Sequence, residues 1–165
     1  MVTFERVLGD GLVACVPFTI VIWATFLTMP RLWLHSLPED IQGMAAPKTD
    51  GEKRLTGIMG VVVLLLFFGV PIGLTLRFNA ESGGTLAIPQ ILLYLYGVWM
   101  TINLWDLVAI DWVYALLVDP QRPPIVGTVG AKGYKDYGFH FKSFVKASVF
   151  SLLLLVPAAV VISLV

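Results

Sequence analysis

The sequence predicts an all-α polytopic membrane protein: four transmembrane helices packed as a small bundle, the third helix long and extending into the cytoplasmic interface. Three observations carry this. The chain is 58% hydrophobic and only 13% charged, whereas soluble domains carry about 25% charged residues. Half the usual charge does not cover a water-facing surface. Mean hydropathy is +0.86. The few charges also avoid four runs, each close to the roughly 20 residues that a helix needs to cross the hydrocarbon core. The runs are continuous rather than alternating, which excludes an outer-membrane barrel. Residues 1–165 then form a single four-helix transmembrane domain.

The first run is Gly11 to Pro30. Glu5, Arg6 and Asp10 precede it, which is not the basic start of a signal peptide, and no small-residue cleavage site closes it. It is read as a retained span. The second run is Leu55 to Leu76, in which Gly69-x-x-x-Gly73 is a small-residue spacing that permits close helix packing. The third charge-free run, Ser82 to Trp105, belongs to a helical pattern from about Ala87 to Val118. That pattern is about 50 Å long at 1.5 Å per residue, more than the hydrocarbon requires. The fourth run is Ala147 to Val165. Pro89 fits a helix start, while Pro17, Pro71 and Pro157 lie inside their runs and are expected to bend them.

Basic residues orient the spans. Arg31, Lys48, Lys53 and Arg54 lie in the first connection, Arg77 alone in the second, and Arg122, Lys132, Lys135, Lys142 and Lys146 in the third. This places loops 31–54 and 119–146 in the cytoplasm and both termini outside, in a cytoplasmic (inner) or plasma membrane. Trp33, Trp105, Trp112 and Tyr114 are expected at the headgroup level, and Trp23 and Trp99 deeper. Ser36-Leu-Pro-Glu39 and Thr49-Asp-Gly-Glu52 resemble helix starts, and a short interfacial helix is expected near Pro38. In residues 132–146, lysines interleave with Tyr134, Tyr137, Phe139, Phe141 and Phe144, a pattern that suits contact with anionic lipid headgroups.

Several function classes fall away. Net charge is zero, so no nucleic acid partner is expected. The single cysteine, Cys15, cannot form a redox pair. Gly127, Gly130 and Gly133 lack the Gly-Lys-Ser/Thr ending of a phosphate loop. His35 and His140 are the only histidines and show no metal-ligand spacing, so neither a metal nor a cofactor is expected.

The distinctive stretch is Asn103-Leu-Trp-Asp106-Leu-Val-Ala-Ile-Asp111-Trp112. Asn103 and Asp106 are three apart and share a helix face. Asp111, five beyond Asp106, points about 140° away on an α-helix. The two carboxylates are therefore expected to face different partners, Asp106 toward the bundle and Asp111 toward the third loop or the headgroups. Those partners would come from a loop: His140, Lys135, Arg31 or Arg54. Asn103, Asp106, Asp111, His140 and Lys135 are thus the candidate polar or ligand site, and Gly69 and Gly73 the candidate packing site. Asn103-x-x-Asp106 resembles one motif of the lipoprotein signal peptidases, which use two aspartates from different helices. The fourth run here contains no acid, which excludes that chemistry.

Three readings of function follow. The first is a scaffold or accessory membrane subunit, in a homo-oligomer or with a membrane protein partner. The second is an oligomeric transporter or channel using Asn103 and Asp106. The third is a membrane-embedded enzyme at the cytoplasmic face using Asp106, Asp111 and His140. The first asks for no catalytic set.

Overall fold

Helix α1 spans Phe4–Thr28, the short α2 Glu39–Met44, α3 Asp50–Glu81, α4 Ile88–Leu117 and α5 Tyr137–Ile162 in the computed structural model, which describes residues 2–165. The four long helices are each long and apolar enough to cross a membrane. Short 3₁₀ turns cover Pro30–Ser36 and Lys132–Lys135. Among the described residues there is no strand.

Polar caps carry the helices beyond their charge-free runs. Helix α3 starts in a capping box: Thr49 Oγ1 accepts from Glu52 N–H, and the Glu52 carboxylate accepts from Thr49 N–H at 2.7 Å. Helix α5 starts ten residues before the expected span, because the Asp136 side chain accepts from Phe139 N–H at 2.9 Å. Residues 137–146, expected as loop, are its first turns. Pro89 lies in the first turn of α4, as expected. Near Pro38 a helix does form, but Pro38 itself is its cap and Ser36 makes no capping bond.

Helix α4 is the centre of the bundle. Ile91, Tyr94, Leu95, Val98, Trp99 and Ile102 are all fully buried on it. Helix α1 approaches most closely, at two glycines. A Cβ on Gly11 would meet Thr101 Cβ at 2.6 Å, and one on Gly97 would meet Val7 Cγ1 at 2.6 Å. Side chains there would force the helices apart. Across the middle of the bundle, Trp99 packs against Phe67, Phe68 and Tyr96, and Phe67 against Phe18. Of the two tryptophans expected to lie deep, Trp99 is fully buried and Trp23 partly buried. Tyr114 is buried, stacked on Phe26 with ring centroids 4.7 Å apart.

Two polar layers close the ends. At one end Arg6 pairs with Asp10 at 2.5 Å and with Glu81 at 2.9 Å, Glu81 also holds Arg77 at 2.7 Å, and the Tyr94 hydroxyl donates to Asp10. This ties α1, α3 and α4 together. At the other end the two long loops fold onto each other. Asp40 Oδ2 accepts from Gly133 N–H at 2.8 Å, and a Cβ on Gly133 would strike Pro38 and the Asp40 carboxylate, so only glycine fits. Arg31 is held by Glu52 at 2.5 Å and so does not reach the aspartates of α4.

Candidate functional site

Residues Asp106–Trp112 of α4 form a π-helical segment. In a π turn the backbone bonds run from i to i+5, so residues five apart rise over one another. This corrects the expectation of diverging carboxylates. Asp106 and Asp111 line one cavity of about 240 Å³, with Asn103 and Leu107 beside them. An unbroken α-helix would have turned the two carboxylates apart; the wider π turn brings them to one side.

A second π-helical segment, Leu65–Gly69 of α3, faces the first across the cavity. Its cause is visible in the sequence. Pro71 has no N–H to offer the Phe67 carbonyl, so the regular ladder fails there. Phe67 and Val63 form this wall, Phe18 of α1 part of the floor, and Ser143, Phe144 and Ala147 of α5 the opposite wall.

The polar groups are arranged in an ordered way. His140 is buried, and its Nδ1 lies 3.0 Å from Asp111 Oδ2, within ion-pair distance. Asn103 is 3% exposed. Its amide nitrogen donates to Ser148 Oγ at 3.0 Å and to the Phe144 carbonyl at 3.4 Å. That fixes its orientation and leaves Oδ1 with no donor among the described residues. Ser143 Oγ donates to the Phe139 carbonyl at 3.1 Å. The Asp106 carboxylate takes no hydrogen bond and no ion pair from any described residue. What remains free in the cavity is therefore a set of acceptors: Asp106, Asp111 Oδ1 and Asn103 Oδ1.

Of the sequence-predicted site residues, Asn103, Asp106, Asp111 and His140 are brought together. Lys135 is not. Its ammonium donates to the Ala115 and Leu116 carbonyls at 2.7 and 3.2 Å, capping the C-terminal end of α4. Gly69 and Gly73 are both exposed, and a Cβ on Gly73 would meet nothing within 4 Å. Within the chain the tight contact is at Gly11 and Gly97 instead, because α4, not α3, occupies the centre. In the basic stretch, Tyr134 is buried against Thr128, whose hydroxyl lies 2.8 Å from its own, while Lys132, Lys142 and Lys146 stay exposed.

Sequence reasoning missed Ser143, Phe144 and Phe67 as cavity residues. Pro71 four residues after Phe67 was the available signal for the second wall. The Arg6–Asp10–Glu81–Tyr94 layer was also missed, since its members are spread over three helices. Among the described residues no group of three or more His, Cys, Asp or Glu side chains is arranged to hold a metal ion. Comparison with protein-family models, curated proteins and solved structures finds no match to this chain.

Proposed function

We propose that the protein is a multi-pass protein of the inner or plasma membrane that binds a cation, in the simplest case a proton, at the Asn103/Asp106/Asp111 centre, and that it works as a transport unit. One observation carries the reading. Asp106 projects from a membrane-length helix into a cavity where no described residue gives it a cation or a donor. A carboxylate in that position costs free energy unless a cation neutralises it or water reaches it. Asp111 is answered by His140, so Asp106 is the vacant charge. With loops 31–54 and 119–146 in the cytoplasm, the cavity opens in the cytoplasmic half, and exposed Lys132, Lys142 and Lys146 meet anionic lipid there.

An enzyme reading gains nothing from the geometry. Ser143 is the one hydroxyl lining the cavity, and its proton is engaged by the Phe139 carbonyl. The accessory-subunit reading has its own support: no residue of Asp50–Leu64 is buried, and a partner's helix would cover that face.

The test uses the full chain in nanodiscs and in proteoliposomes. Infrared difference spectra between acid and neutral pH should contain a protonated carboxyl band that Asp106→Asn removes. Proton flux in proteoliposomes should fall in the same variant. A spectrum and a flux that are both unchanged by Asp106→Asn would overturn the proposal.

A further inference from the structure

The Asp50–Leu64 half of α3 packs mainly on the Pro30–Ser36 turn, and the Tyr137–Phe150 half of α5 packs along α4. These two halves do not pack substantially on each other, and α3 and α5 both line the cavity that holds the carboxylates. The lining residues from these two helices are Val63 and Phe67 on one side and Ser143, Phe144 and Ala147 on the other, apolar except for Ser143. A soluble ion gains nothing from such apolar side chains. An amphiphile gains on both sides of them, its tail in the bilayer and its head in the cavity.

The interior specifies that head. Its free polar atoms all accept hydrogen bonds: the Asp106 carboxylate, Asp111 Oδ1 and the Oδ1 of buried Asn103, whose own donors are already spent. An anionic or zwitterionic phosphate head would meet like charge there. A primary ammonium brings three donors and one positive charge. The Phe67 ring in the lining adds a π face for the cation. Size agrees. A cavity of about 240 Å³ has the volume of roughly eight waters at about 30 Å³ each, enough for a small head and too little for a whole lipid.

We infer that the cavity binds the primary ammonium head of a membrane amphiphile, which enters sideways between α3 and α5 while its tail stays in the bilayer. This rests on the proposed cation-binding role of Asp106 and narrows it to a class of ligand.

Binding of dodecylammonium to the full chain in neutral-lipid nanodiscs tests it, with dodecyltrimethylammonium, ethylammonium and sodium as comparisons. Dodecylammonium should bind saturably, one per chain. Asp106→Asn should weaken it about tenfold or more, the loss of one charge-assisted hydrogen bond. Dodecyltrimethylammonium keeps the charge and tail but has no N–H donors, and should be weaker by a similar factor. Ala147→Phe narrows the proposed entry between α3 and α5 without touching a carboxylate. It should abolish dodecylammonium binding, and it decides the matter if Asp106→Asn does not fold. Ethylammonium binding as tightly as dodecylammonium would overturn entry from the bilayer. Equal affinity for the trimethyl compound would overturn recognition by the acceptors. If neither amine binds while the Asp106 carboxyl still titrates, the cation-binding role stands and this inference fails. If nothing binds and nothing titrates, both fail.

Discussion

Asp106 and Asp111 lie five residues apart on one helix, and a π-helical turn sets both carboxylates against the same cavity. Among the described residues only one of them has a protein partner: Asp111, with His140 Nδ1 3.0 Å away. The asymmetry makes the two acids experimentally separable.

Removing the partner should hurt more than removing the pair. His140→Ala leaves the Asp111 carboxylate half-buried without its imidazole neighbour and should cost about 1–3 kcal/mol. The double variant with Asp111→Asn should recover part of that loss. Thermal unfolding of all three variants in one detergent measures the coupling. Strictly additive losses would mean that the two side chains do not support each other.

The close approach of α1 and α4 makes a contrasting pair of glycine variants. Gly97→Leu places a side chain where Val7 already sits, and should destabilise the fold by about 1–3 kcal/mol. Gly73→Leu meets open space and should leave the unfolding midpoint of the isolated chain unchanged. A midpoint drop at Gly73 that depends on protein concentration would identify its face as a contact between copies.

Topology is open to labelling. The native Cys15 is 2% exposed, so its background is low. Thr85→Cys, in the connection between α3 and α4, should react with a membrane-impermeant maleimide added from outside, and Ser36→Cys should react only after permeabilisation. The opposite pattern would invert the orientation derived from the basic residues.

His35 predicts a pH effect in the loop layer. Loss of hydration and then the neighbouring Lys48 ammonium hold its pKa below the usual 6.5, against a weaker opposing bond between its Nδ1 and the Leu32 carbonyl. A base with a lowered folded-state pKa binds its proton more readily when unfolded. The stability it contributes is therefore complete above about pH 6.5 and falls as pH drops through the folded value. An NMR titration should place the His35 midpoint below 6.5. Hydrogen exchange in residues 30–45 should speed up toward pH 5, and His35→Gln should remove that dependence. A midpoint at or above 6.5 would contradict the packing described around the ring.

The four helices were readable because a hydrocarbon core imposes a length and a charge rule that any 20-residue window reveals. The polar group was half readable. Asn103, Asp106, Asp111 and His140 stood out as polar residues near an apolar run, but their convergence depends on a local change of helix type that no periodicity count registers. The failed ladder ahead of Pro71 shows the same limit from the other side of the cavity. The contact of Lys135 with the end of α4 was not legible, because a lysine's sequence neighbours do not reveal which helix end lies within its reach. Gly69 and Gly73 meet no other helix closely within the chain, because GxxxG marks a helix able to approach another, not the helix at the centre. Gly11 and Gly97 act as an isolated pair on different helices, and no spacing within one run points to them.

The ion pair between Arg6 and Glu81 spans 75 positions of chain. During synthesis α1 enters the bilayer long before Glu81 exists, so Arg6 has only Asp10 for company until α3 is complete, and Asp10 lacks Tyr94 until α4 has followed. The first span is thus held provisionally, free to shift in depth and rotation, and locks only when the third arrives. The chain's maturation is timed by its own length, and a nascent chain released before Tyr94 would leave the Asp10 carboxylate without the hydroxyl that completes the lock.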